Sequence, residues 1–143
     1  MATIKSYTDL EQSKKLAEIL SIESADACWT NHLFADILSS WRLESTPPQK
    51  YKSTLDRYVV KGYLIEPAWS LVALLSIIPK EIFHGDYVIN ITVRLNNLNN
   101  KWIISYNKDK TDSFPIYKLI ASADNLFDAC VTMIEKLNEL KML

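Results

Sequence analysis

Apolar positions recur at helical spacing in the first half of the chain, alternate with polar ones in the third quarter, and return to helical spacing at the end. Leu10, Leu16, Ala17, Ile19 and Leu20 form one stripe and predict a helix over about 9–20. Thr8 stands where a cap belongs, and Glu11 follows it at capping-box spacing. Leu33, Phe34, Ile37, Leu38 and Trp41 predict a second helix over about 31–41, with Asn31 as its cap; Cys28-Trp29 can instead open a strand. Pro47 and Pro48 break the chain. Leu55, Tyr58 and Val59 then share a face of a short helix over 53–61, with Gly62 as its C-cap, although the β-branched pair Val59-Val60 leaves a strand open.

The stretch EPAWSLVALLSIIP (66–79) is apolar on every side. Between its prolines only Ser70 and Ser76 are polar. Pro67 suits a first helical turn and Pro79 stops the helix, predicting a helix over about 68–78. At ~1.5 Å per residue it reaches roughly half of a ~30 Å hydrocarbon layer, so it reads as a central buried rod and not as a membrane span. Trp69 anchors that rod, and its indole N–H needs an acceptor.

Beyond Pro79 the period becomes two. YVINITVRL (87–95) and KWIISYN (101–107) read as strands of an antiparallel hairpin joined by NNLNN, whose asparagines tolerate left-handed backbone. FPIYKLIA carries a third strand near 114–119, with Pro115 at an edge or at the strand start. Phe127, Cys130, Val131, Ile134 and Leu137 give a last helix over about 124–141, capped by Asp124. The succession predicts an α+β fold: a single domain, 1–143, with helices packed on a small antiparallel sheet.

Composition changes this picture little. The 143 residues are 48% hydrophobic and 23% charged, with a net charge of −1, so there is no basic excess of the kind that marks non-specific nucleic-acid binding. The polar start, MATIKSYTDLEQSKK, lacks the apolar core of a signal peptide, which makes the cytoplasm the default compartment.

Three segments, YTDLEQSKKLAEILSIESAD (7–26), PAWSLVALLSIIPKEI (67–82) and ADNLFDACVTMIEKLNELKML (123–143), together resemble a family of small proteins encoded repeatedly in gut Bacteroidetes genomes, often in phage or mobile-element contexts. The resemblance covers about 57 of the 143 residues. It implies an accessory protein of such an element and brings no activity, cofactor or catalytic residue with it.

Candidate chemistry is sparse. Cys28, His32 and Asp36 are spaced four apart and would line one face of a continuous helix, as a hydrolase around Cys28 and His32 would need, but no glycine-rich turn nearby offers an oxyanion hole. His84 and Asp86 flank Gly85, a turn pattern short of further metal ligands. The chain has only two glycines, Gly62 and Gly85, which excludes a phosphate-cradling loop. The segment KYKSTLDRYVVKGY gathers Lys50, Lys52, Arg57 and Lys61 with Tyr51, Tyr58 and Tyr63, a mixture able to track a nucleic-acid backbone and stack on bases. Its phrase TLDRYVVKGYLIE resembles the recognition helix and following strand of winged-helix DNA-binding domains, but the preceding loop is too long for the usual turn. Trp29, Trp41 and Trp102 are candidate anchors for a protein partner. The expectation is therefore a non-enzymatic interaction protein with no cofactor and no membrane association, binding a protein partner or a second copy of itself. Nucleic-acid binding through Lys50, Tyr51, Lys52, Arg57, Tyr58 and Lys61 is the alternative.

Overall fold

The structure, a computed structural model, describes residues 6–32, 41–48, 63–84, 87–107 and 115–143. Its class is α+β: among the described residues there are α-helices and two antiparallel sheets, of three and four strands. The chain divides into two compact units, Met1–Ala73 and Leu74–Leu143.

In the first unit, α1 (Leu10–Ala17) is capped one residue later than the sequence suggests. Asp9, not Thr8, accepts from the backbone of Gln12 at 2.8 Å, and Gln12 answers to the backbone of Asp9 at 3.2 Å, so the capping box runs from Asp9 to Gln12. Thr8 is instead fully buried. Its hydroxyl accepts from the Trp69 backbone at 3.1 Å and lies 2.7 Å from Ser13 Oγ. Turns and a short 3₁₀ segment (Ile22–Ser24) lead to β1 (Ala27–His32).

β1 is the central strand of the order β2-β1-β3, between β2 (Arg42–Glu44) and β3 (Tyr63–Ala68). This corrects the start of the helix expected over 31–41. Asn31 and His32 continue β1, opposite Leu64 and Tyr63, and Asn31 is no helix cap. Through His32 the backbone is committed to β1 and paired with β3, and that pairing overrides the local preference of Asn31 for a cap. Residues 33–40, and the helix expected over 53–61, lie outside the described residues.

The apolar stretch 66–79 is likewise not one rod. Glu66, Pro67 and Ala68 finish β3, with Pro67 opposite Cys28 and Ala68 opposite Ala27. Pro67 is tolerated because β3 is an edge strand among the described residues, where a missing donor need not break a ladder. Only Leu71–Ile77 form a helix, α2, of two turns. Its burial is one-sided: Leu74 is its single buried residue, whereas Val72 is 74% exposed and Ser76 is exposed. The expectation that 68–78 is enclosed on every side is corrected accordingly, while Ala68, Trp69, Leu74 and Ile78 are buried.

The second unit is a meander, β4 (Glu81–His84), β5 (Tyr87–Asn96), β6 (Lys101–Asn107) and β7 (Pro115–Ala123), followed by α3 (Leu126–Glu139). The asparagine-rich turn behaves as its residues dictate. Asn100 takes a left-handed φ of 54°, and Asn96 and Asn99 side chains accept from the backbones of Leu98 and Lys101. The hairpin register, Asn96↔Lys101 through Asn90↔Asn107, places Ile89, Ile91, Ile104 and Tyr106 on one pleat face. Ala121 joins them from β7, and all but Ile91 are buried. α3 packs against β6 and β7, burying Phe127, Cys130, Val131, Ile134 and Leu137 as the helical stripe requires. Its cap is Asn125, which accepts from Asp128 at 2.8 Å; Asp124, expected in that role, instead pairs with Lys101 at 3.7 Å.

Candidate functional site

Of the sequence-predicted set Cys28, His32 and Asp36, the structure describes Cys28 in full and the backbone of His32. Cys28 and His32 sit four residues apart on extended β1, so their backbones are about 13 Å apart at ~3.3 Å per residue. Asp36 lies outside the described residues. Cys28 is fully buried, and burial, with the Glu44 carboxylate adding to it, pushes its thiol up to about 11. Burial pushes Cys130 up to about 12. Thiols held protonated in this way are poor nucleophiles. Both cysteines are free, so a thiol reagent near neutral pH should label neither in the folded protein and both after denaturation. Rapid labelling of one thiol in the native state would contradict this placement.

The basic and aromatic set Lys50, Tyr51, Lys52, Arg57, Tyr58 and Lys61 lies outside the described residues, as do Gly85 and Asp86. Among the described residues no three His, Cys, Asp or Glu side chains gather closely enough to hold a metal ion, and no helix is long and apolar enough to cross a membrane.

The tryptophans proposed as anchors are partly covered. Trp29 donates from Nε1 to the Thr8 carbonyl at 3.0 Å, Trp41 lies under the Lys14 ammonium at 5.5 Å, and Trp102 is half-buried. Trp69 is the core residue expected, fully buried with its indole N–H given to Ser24 Oγ at 2.9 Å. Opposite Trp29 on β3 stands Glu66, whose carboxyl is raised by burial against a partial lowering by Lys14. A raised folded value means that the stability Glu66 contributes is present below its unfolded value and lost as pH rises through the folded one. Glu66→Gln should therefore raise the urea midpoint near pH 7 and lose that advantage below about pH 4. An equal effect at both pH values would refute the sign.

Exposed apolar side chains are scattered, among them Val72 on α2 and Leu98 in the asparagine turn, and one pair lies across β4 and β5. On β4, Ile82 is buried while its neighbour Phe83 is 73% exposed, opposite the exposed Val88 of β5. The backbone hydrogen-bond phase follows from one contact, the Ile91 N–H donating to the Lys80 carbonyl at 3.0 Å. Antiparallel pairs exchange bonds at every second residue, so Ile82 and His84 direct their backbone groups to β5, and Glu81 and Phe83 direct theirs outward. β4 is the terminal strand of its sheet, and among the described residues nothing pairs with those outward groups. Beside this edge lies an open groove of about 470 Å³, lined by Pro79, Glu81, Ile82, Phe83, Lys141 and Met142.

The chain end supplies the far wall. The Lys141 and Met142 N–H groups return to the Asn138 and Leu137 carbonyls, a Schellman closure that holds Lys141 at a left-handed φ of 56°. Glycine usually occupies this position, since a Cβ there costs about 1 kcal/mol. The sequence signal for the edge is slight: four residues, EIFH, alternating apolar-in and apolar-out before Gly85.

No protein-family model, curated protein or solved structure matches the chain.

Proposed function

We propose that this chain is a non-enzymatic accessory protein of a phage or mobile element that acts by binding another protein, and that it does so in the cytoplasm. The accessory role rests on the resemblance carried by segments 7–26, 67–82 and 123–143. Protein binding rests on one observation above all: Phe83, a large aromatic side chain 73% exposed beside a groove, on a strand whose outer edge is unpaired among the described residues. Aromatic side chains left at a rim in this way add most when a partner removes them from water.

A photo-crosslinking amino acid placed at position 83 and expressed in the host should give an adduct of discrete mass. The same group at Asn97, an exposed turn residue, should not. Equal labelling at both positions, or none at either, would dismiss protein binding at this face. Nucleic-acid binding predicts retention on heparin at low salt, lost steeply as salt rises.

A further inference from the structure

We infer that β4 is a docking strand: an extended, acidic-apolar segment of another protein adds to the sheet along Glu81–His84, pairing with the outward N–H and C=O groups of Glu81 and Phe83. This rests on the protein-binding reading above and specifies its mode. An unpaired edge is a template for main-chain pairing, and a neighbouring groove gives alternate side chains of the added strand a place to go. Here the groove floor and walls are apolar at Pro79, Ile82 and Met142. Its volume falls within the range of about 300–1,000 Å³ typical of binding clefts.

The groove carries one charge of each sign, Glu81 on β4 and Lys141 on the opposite wall. Successive residues of a strand face opposite ways, so Glu81 belongs to the Phe83 face and Lys141 is the charge met on the Ile82 face. Lys141 is exposed, lines the groove and has no ion-pair partner among the described residues. Its left-handed backbone is a local cost that the helix end bears while presenting an ammonium to the groove. A carboxylate on the added strand, flanked by apolar residues that meet Ile82 and Met142, complements this wall. On the other pleat face an apolar residue covers Phe83.

A second copy of this chain fits less well. Pairing β4 with itself about a two-fold axis joins strands of only four residues, far short of the roughly 1,000 Å² that a stable interface buries. It also brings the two Lys141 ammonium groups to the same side of the joined sheet.

The probes are two short end-blocked peptides of alternating valine and threonine, one with a central glutamate and one with lysine there. In amide NMR of the full chain, the glutamate peptide should shift Glu81 and Phe83 most. Lys141→Glu, at an exposed position, should weaken that peptide by up to about fivefold and reverse the preference. Phe83→Pro removes an outward donor, leaves the β4–β5 ladder its own bonds, and should abolish the shifts while the Ile89 amide stays in place. Absence of β4 shifts at about 1 mM peptide, where even millimolar affinity would register, overturns the inference. So do shifts that both substitutions leave unchanged, or concentration-dependent self-association that Phe83→Pro removes. An adduct at position 83 without peptide-induced β4 shifts would sink edge docking alone and leave protein binding standing.

Discussion

Replacing Trp69 by alanine is expected to lower the unfolding free energy of the first unit by about 3–5 kcal/mol, a large share of the roughly 5–15 kcal/mol that holds an ordinary domain folded. The side chain is fully buried, and its truncation leaves a cavity as well as losing the transfer energy. It also removes the indole N–H that Ser24 Oγ accepts, leaving that hydroxyl its own donation to the Ser21 carbonyl. The backbone bonds between Trp69 and Thr8 survive the substitution, because they use main-chain atoms of residue 69. Trp69→Phe should therefore recover much of the loss, and what remains measures the indole bond and the smaller ring. Urea unfolding followed by far-UV circular dichroism reads both. A loss below about 1 kcal/mol for the alanine variant, the ordinary scale of surface substitutions, would mean that Trp69 is not the anchor described here.

The second large effect belongs to Asp26. Its carboxylate accepts from the Ser70 backbone N–H at 2.8 Å and from the Ser70 hydroxyl, while Ser70 Oγ in turn accepts from the Ala73 N–H at 3.2 Å. The carboxylate thus holds the hydroxyl that caps α2. Bonds to a charged acceptor contribute about 1.5–3 kcal/mol, and a lost cap about 1 kcal/mol. Asp26→Ala should cost about 2–3 kcal/mol and Ser70→Ala about 1–2 kcal/mol, with the pair costing clearly less than their sum because both remove the same link. Strict additivity in that double-mutant cycle would show that the two side chains act separately.

The Trp69 and Asp26 side chains both act through hydrogen bonds to residues far away in sequence. Trp69 was legible as a core residue because it sits in a run of apolar neighbours, and its need for an acceptor follows from its chemistry. That the acceptor is Ser24, 45 residues earlier, depends on how the 3₁₀ segment and the residue after β3 are brought together. Asp26 looks in sequence like a loop residue, and its role as support for a helix cap 44 positions later exists only in the fold. Caps slipped by one residue for the same reason. Thr8 and Asp124 were locally suitable, but Thr8 was drawn into the core by Trp69 and Asp9 took its place.

The candidate site was the least legible part. Phe83 and Lys141 are ordinary residues in sequence, and the groove joins them across 58 positions. Exposure of Phe83 depends on β4 being terminal, which local pattern does not reveal. Tryptophans drew attention by type, yet Trp29 and Trp41 are engaged by Thr8 and Lys14.

By itself the order of residues determined the class of the fold, the 87–107 hairpin with its asparagine turn, the strand after Pro115 and the face of the last helix. Periodicity and turn chemistry act over a few neighbours, and those are present in the chain at any stage of folding. Only the tertiary structure decided that Asn31 and Pro67 belong to strands, that the apolar stretch ends as two helical turns with one buried side, and that β4 is terminal among the described strands. Strand pairing and burial are settled between residues distant in sequence, where the most favourable pairing available overrides the preference of any single segment.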